Sequence, residues 1–192
     1  MRELGRIVRL QIQRSSLKTG EKPQRVYDPT PILAVERLAL GPDGVLGEDQ
    51  EGTWVMDVHH RTHPTTKNED GLHGVSLGFT SHYRQMQERF GARIVAGCAG
   101  ENILVDVPSR ITLDDLETGV AIHASAGEEL LRLEVLQVAH PCRPFSGWAL
   151  GGMVESDVLK ETLQFLDDGL RGFYCRGIAS AVISVGDRLM RI

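Results

Sequence analysis

Paired cysteines are missing from this sequence. It has three, Cys98, Cys142 and Cys175, an odd number with no CxxC spacing. That argues against a disulfide framework and against a four-thiolate zinc site, and a reducing, cytoplasmic setting follows as the default. A positive charge balance is missing too. The formal net charge is −5, which makes a nucleic-acid backbone an unsuitable partner. No apolar run reaches the roughly 20 residues of a membrane-spanning helix. The opening MRELGRIVRLQIQRSS mixes charges into its apolar residues, unlike a signal peptide. Neither a P-loop nor a dinucleotide-binding fingerprint occurs. No internal repeat, low-complexity tract or linker divides the chain. Its 192 residues are therefore expected to form one domain, residues 1–192, long enough to bury a core without staples.

What is present is a series of short apolar stretches. Gly5 to Gln13 alternates apolar and polar residues as a half-buried strand does. Ser15 to Pro29 reads as a loop, and Ile32 to Leu40 as one strand closed by the turn Gly41-Pro42-Asp43-Gly44. Trp54 to Val58 suggests a short strand. Thr80 to Phe90 has helical spacing, with Thr80 or Ser81 as cap and Gly91 as stop. Ile103 to Val105, Glu128 to Ala139, Gly172 to Cys175, Ala179 to Ser184 and Arg188 to Ile192 read as strands. Val154 to Leu166 reads as a second helix. Many strands, two helices and no β–α–β rhythm predict a mixed, β-rich barrel with peripheral helices, not a doubly wound sheet.

Three stretches carry chemistry. The first is Pro141-Cys142-Arg143-Pro144. The long strand before it stops at Pro141, and the two prolines stiffen a loop that presents a thiol beside a guanidinium. A positive neighbour favours the thiolate, which is both the nucleophile and the metal ligand. Cys175 falls inside a strand and reads as structural. Cys98 lies in a Gly-rich loop that can bring it near Cys142. The second stretch is Asp57 to Lys67, with His59, His60 and His63. HHxxH lacks the glutamate of the HExxH zinc motif. The imidazoles together with Lys67 suit a phosphate better; a zinc hydrolase stays the alternative for these histidines. The third is Gly100-Glu101-Asn102 at the entry to a strand. Its turn and the Asn102 amide suit an anion or a heterocycle, although a plain Gly-rich turn reads the same way.

Taken in order, these stretches resemble the MOSC domain, the C-terminal domain of molybdenum cofactor sulfurases, here as a stand-alone chain. The matching segments are Gly44 to Asp49, Asp57 to Pro64, Gly100 to Val105, Thr118-Gly119-Val120, Pro141 to Pro144 and Gly169 to Asp187. The resemblance covers roughly residues 30–192. It implies a MOSC-type β-barrel with a cysteine in its cleft. It also implies the molybdopterin form of molybdenum cofactor, with Cys142 as catalytic residue and molybdenum ligand. Relatives of that kind reduce N-hydroxylated compounds such as modified nucleobases and amidoximes. Others are expected to carry sulfur as a persulfide, which makes a sulfurtransferase served by a desulfurase partner the alternative. A non-catalytic small-molecule binder is the third reading. Gly100, Glu101 and Asn102 match the motif at the cleft. Arg143, Lys67, His59, His60 and His63 are assigned to the cofactor by charge alone. The family's Gly-Asp-Arg-His run appears as Gly47-Glu48-Asp49-Gln50, so which histidine faces the cleft stays open. This chain has no pyridoxal-phosphate domain and no flavin or iron–sulfur motif, so electrons would come from a separate partner.

Overall fold

The structure, a computed structural model, describes residues 1–66, 68–152, 154–177 and 179–192. In chain order the strands and helices begin with β1 (Arg2–Gln13), β2 (Lys18–Thr19), β3 (Val26–Tyr27), β4 (Ile32–Val35), β5 (Arg37–Gly41), β6 (Gly44–Glu48), β7 (Trp54–Met56) and β8 (Val75–Phe79). They continue with α1 (Thr80–Phe90), β9 (Ile103–Asp106), β10 (Val120–His123), β11 (Glu129–Val138), α2 (Arg143–Ala149), α3 (Ser156–Asp167), β12 (Phe173–Gly177), β13 (Ala181–Ser184) and β14 (Arg188–Arg191).

Seven strands close on themselves in the order β14-β10-β11-β12-β8-β9-β1, and β1 returns to β14. The last pairing is antiparallel, with Arg2 opposite Arg191 and Arg6 opposite Arg188. A closed ring leaves no unpaired edge, which a flat sheet of this length would expose. β4 hangs from β1 outside the ring, while β13, β5, β6 and β7 form a separate four-stranded sheet. The mixed, β-rich barrel read from the sequence is therefore present.

The barrel interior follows from alternation plus one irregularity. Ile7, Leu10 and Ile12 all belong to the inner core, although residues 7 and 10 are an odd number apart. The register shifts between Ile7 and Arg9 where β1 meets β9. This bulge resets the parity of the strand and leaves Val8 45% exposed. On β9, Ile103 and Val105 point inward with Leu77, Phe79 and Phe173. Leu104 points outward into a second core with Met86, Tyr27, Phe145 and Leu166. That second core fastens the helices to the outside of the barrel.

Several local expectations need correction. Ile32 to Leu40 is two strands, because Glu36 breaks the run: its carbonyl accepts from Val185 N, and β5 leaves β1 for the smaller sheet. The polar stretch from Ser15 to Pro29 contains a hairpin, β2 with β3, in which Lys18 faces Tyr27. One β–α–β unit exists, since β8 and β9 run parallel with α1 between them. α1 starts without a side-chain cap; Thr80 Oγ1 instead donates to Asp106 Oδ1 at 2.6 Å and accepts from Val107 N at 3.1 Å. The loop expected after Cys142 is a helix, α2. Proline is well placed in its first turn, where an N–H has no intrahelical acceptor.

His82, on α1, is a buried neutral group held apart from the site. It is 1% exposed, lies between Phe79 and Phe173, and its Nε2 is 2.8 Å from the Ile111 carbonyl. Among the described residues no helix is long and apolar enough to cross a membrane.

Candidate functional site

A cleft of about 690 Å³ opens where four segments meet at one end of the barrel. They are the β2–β3 hairpin, the turn before β9, the turn from β11 into α2, and the start of β12. His59 and Ser76 complete the wall.

Cys142 is half-buried and lines this cleft. It is the residue before α2, in extended conformation, and its carbonyl accepts the first helical bond from Ser146 N at 3.0 Å. α2 is fixed because Phe145 and Ala149 are buried in the second core. The thiol therefore sits at the fixed start of a packed helix, not on a free loop. The other two thiols differ. Cys98 is 3% exposed and Cys175 fully buried, and burial pushes each up to about 12. Cys98 lies in the layer beneath the cleft; it does not line it.

Arg171 comes into the site through a glycine. Gly172 has φ +87°, and a Cβ there would stand 2.3 Å from the Leu77 carbonyl, so the chain can pass this close to β8 only without a side chain. Arg171 Nη2 donates to Ala99 O at 2.8 Å. Its Cζ stacks 3.8 Å from the centre of the Phe145 ring. Its buried Nε has no partner among the described residues. Burial lowers its basicity, and nearby Tyr27, Cys142 and Tyr174 more than offset this, for a net rise.

Among the described residues Glu101 is the one acidic side chain in the lining. It is 3% exposed. Oε2 accepts from Tyr83 OH at 2.8 Å, and the same Tyr83 oxygen accepts from Ala99 N at 3.0 Å. Oε1 is buried without a partner among the described residues. Burial pushes this carboxyl up from its ordinary value, partly opposed by the Tyr83 hydrogen bond and by Arg171. Gly78 makes room for it: a Cβ there would lie 2.8 Å from Glu101 Cγ.

Asp57 organises the opposite wall. Fully buried, it accepts from Gln13 N at 2.7 Å, Asn102 Nδ2 at 3.1 Å and His59 N at 2.8 Å. His59 Nδ1 lies 3.1 Å from its Oδ1. A carboxylate only accepts, so Nδ1 carries the proton and Nε2 is left as the basic nitrogen of a ring that lines the cleft.

Of the residues singled out in the sequence, the structure brings Cys142, Arg143, Gly100, Glu101 and His59 to one cleft. Three others lie elsewhere. Asn102 is turned into the wall. Its Oδ1 accepts from Ser76 N and Oγ, and its Nδ2 donates to Gln11 O and Asp57, so it latches β8 to β9 and positions His59 from behind. His60 and His63 make local turns with Thr62 and Thr65. Among the described residues no three of His, Cys, Asp and Glu are placed to hold a metal ion. Lys67 lies outside the described residues.

Sequence reading missed Tyr27, Arg171, Tyr174, Lys18, Lys22 and Arg25, which line the same cleft. The last three had a signal. Arg14, Lys18, Lys22 and Arg25 crowd one short stretch of an acidic chain, with Glu21 the sole acid among them. In all, Lys18, Lys22, Arg25, Arg143 and Arg171 face the cleft against Glu101 alone. None of the five is in an ion pair among the described residues. Outside the cleft Arg37, Arg110, Arg132, Arg176 and Arg188 each have a carboxylate partner.

A family model of the MOSC domain matches residues 73–190, from just before β8 into β14. The stretches Gly44 to Asp49 and Asp57 to Pro64 lie outside that match. No curated protein matches the chain. Among solved structures, the YuaD protein from Bacillus subtilis superposes with a TM-score of 0.59 at 13% identity, over 96% of this chain and 93% of that one. YiiM from Geobacillus stearothermophilus gives 0.55 at 19% identity, over 97% and 74%. YiiM from Escherichia coli gives 0.54 at 17% identity, over 100% and 70%. At these identities what is shared is the fold.

Proposed function

This chain belongs to the MOSC domain family, and on that premise we propose that its cleft binds the molybdopterin form of molybdenum cofactor through Cys142 and reduces N-hydroxylated compounds. One observation carries the reading: the half-exposed thiol opens into the cleft where five cations stand without carboxylate partners among the described residues. A thiolate is a soft ligand suited to molybdenum. Unpaired guanidiniums such as those of Arg143 and Arg171 suit a phosphate and can grip it with two donors. The cleft volume of about 690 Å³ lies within the range of small-molecule and cofactor sites. The donor set therefore fits the cofactor.

When bound, the cofactor supplies the two-electron redox chemistry that no side chain can. The chain's own residues do the rest. Cys142 would hold the metal from a rigid helix start. Arg143 and Arg171 favour anionic groups at that end of the cleft. Glu101 Oε1, without a partner among the described residues while Oε2 is taken by Tyr83, can hydrogen-bond a heterocycle or the substrate. His59, oriented by Asp57, can take up or release a proton at Nε2. Cleavage of N–O in a hydroxylamine or amidoxime consumes two electrons and two protons and releases water. The electrons would come from a separate donor, and the protons from solvent by way of His59.

Protein made in cells that synthesise the cofactor is expected to convert benzamidoxime to benzamidine when a chemical reductant is supplied. Cys142→Ala should lower the rate at least about 100-fold, as loss of a group essential to the chemical step does. Activity retained in Cys142→Ala would overturn the assignment. An inactive wild type with extra sulfur on Cys142 by mass spectrometry would favour the persulfide carrier.

A further inference from the structure

We propose that the β2–β3 hairpin is an outer anion-binding subsite, and that the substrate of this cleft carries its own phosphate or carboxylate. The proposal rests on the reading of the cleft as a cofactor site, because it starts from the charge left over once the cofactor is in place. A phosphate monoester brings about −1.5 to −2 charges. Five cations line the cleft. Even with Glu101 and the Cys142 thiolate both counted as anions, about one positive charge remains unmatched beyond the phosphate.

Those cations divide by position. Arg143 directly follows Cys142, and the Arg171 guanidinium stacks on Phe145, three residues after Cys142; these two serve the thiol end. Lys18, Lys22 and Arg25 all come from one hairpin. Its base is anchored. Leu17 is 5% exposed. Tyr27 packs edge-on to Phe145 at 5.1 Å and donates to Cys98 O at 2.6 Å, and Asp28 N donates to Leu17 O. Arg25 Nε donates to Gly20 O at 3.3 Å, which holds the guanidinium against its own hairpin. Glu21, the acid within the hairpin, does not line the cleft and is in no ion pair with these residues among those described. Three cations held on an anchored hairpin lose less freedom on meeting an anion than they would on a free loop.

The test compares benzamidoxime with 4-carboxybenzamidoxime by titration calorimetry. Wild type is read against a variant combining Lys18→Ala, Lys22→Ala and Arg25→Ala, with circular dichroism to confirm that both are folded. Wild type should bind the carboxylate form about tenfold tighter in dilute buffer, with the preference shrinking as salt screens it. The variant should lose that preference and keep its molybdenum. Equal binding of the two compounds by wild type, or an undiminished preference in the variant, would overturn the proposal. So would loss of molybdenum from the variant, which would assign the hairpin cations to the cofactor's phosphate. If wild type takes up no molybdenum, the cofactor reading fails by itself. The same titration on metal-free protein then decides the hairpin's part: a preference that depends on the three cations supports the outer subsite, and one that does not refutes it.

Discussion

In the native state one cysteine in three is expected to react with a maleimide. Cys142 lines an open cleft, whereas Cys98 and Cys175 are buried and pushed up to about 12. Only the thiolate attacks. At pH 8 a thiol with a pKa of about 12 is ionised only to about one part in ten thousand, and access is blocked as well. Peptide mapping should therefore place a single fast adduct on Cys142, with the other two slower by at least about a thousandfold. Native Cys142→Ser should take none, and all remaining thiols should react once the protein is unfolded in guanidinium. A second adduct formed as fast on Cys98, or no adduct on Cys142, would contradict the placement of these thiols.

The second large effect concerns acid. Burial of His82 lowers its pKa from 6.5 to about 4, partly opposed by its hydrogen bond to the Ile111 carbonyl. In the unfolded chain it protonates near 6.5; in the folded protein it resists until about 4. The unfolded state thus binds more protons in that interval, and folding loses stability as pH falls through it. Above about pH 6.5 the contribution is complete. At roughly 1.4 kcal/mol per pKa unit, its loss by pH 4 is on the order of 3 kcal/mol. Glu101 acts with the opposite sign, since a raised carboxyl pKa weakens folding as pH rises. The comparison is therefore between wild type and His82→Gln, each unfolded in urea at several values between pH 7 and pH 4. Wild type should lose the extra stability that the variant has no histidine to lose. Parallel curves would show that His82 is not held neutral.

How much of this was legible depended on the kind of signal. Helix α1 and strand β11 stood out because their apolar spacing is long and regular, at 3.6 and 2 residues. Closure of the ring did not, since Arg2 opposite Arg191 is a pairing that no local pattern announces. The break at Glu36 and the bulge at Val8 escaped notice because an apolar run reads the same through a kink. α2 was hidden by the prolines on either side of Cys142, since proline stops a strand and starts a helix alike.

At the site, Cys142, Arg143, Gly100 and Glu101 were legible from local chemistry, and His59, His60 and His63 were not told apart. Asp57 separates them: only His59 lies within reach of that buried carboxylate. Asn102 could be read either way, because an amide beside a turn suits a ligand as well as a strand, and here Ser76, Gln11 and Asp57 take its bonds. Arg171 left no sequence signal, because its place depends on Gly172 passing against Leu77, a contact between residues far apart in the chain.

Elemental analysis decides whether Cys142 is a metal ligand. Purified from cells that make molybdenum cofactor, the wild-type chain is expected to carry about one molybdenum per molecule and Cys142→Ser close to none, with both folded, because the serine hydroxyl replaces the soft ligand by a hard one. Folded wild-type protein without molybdenum, or Cys142→Ser with as much as wild type, would contradict it.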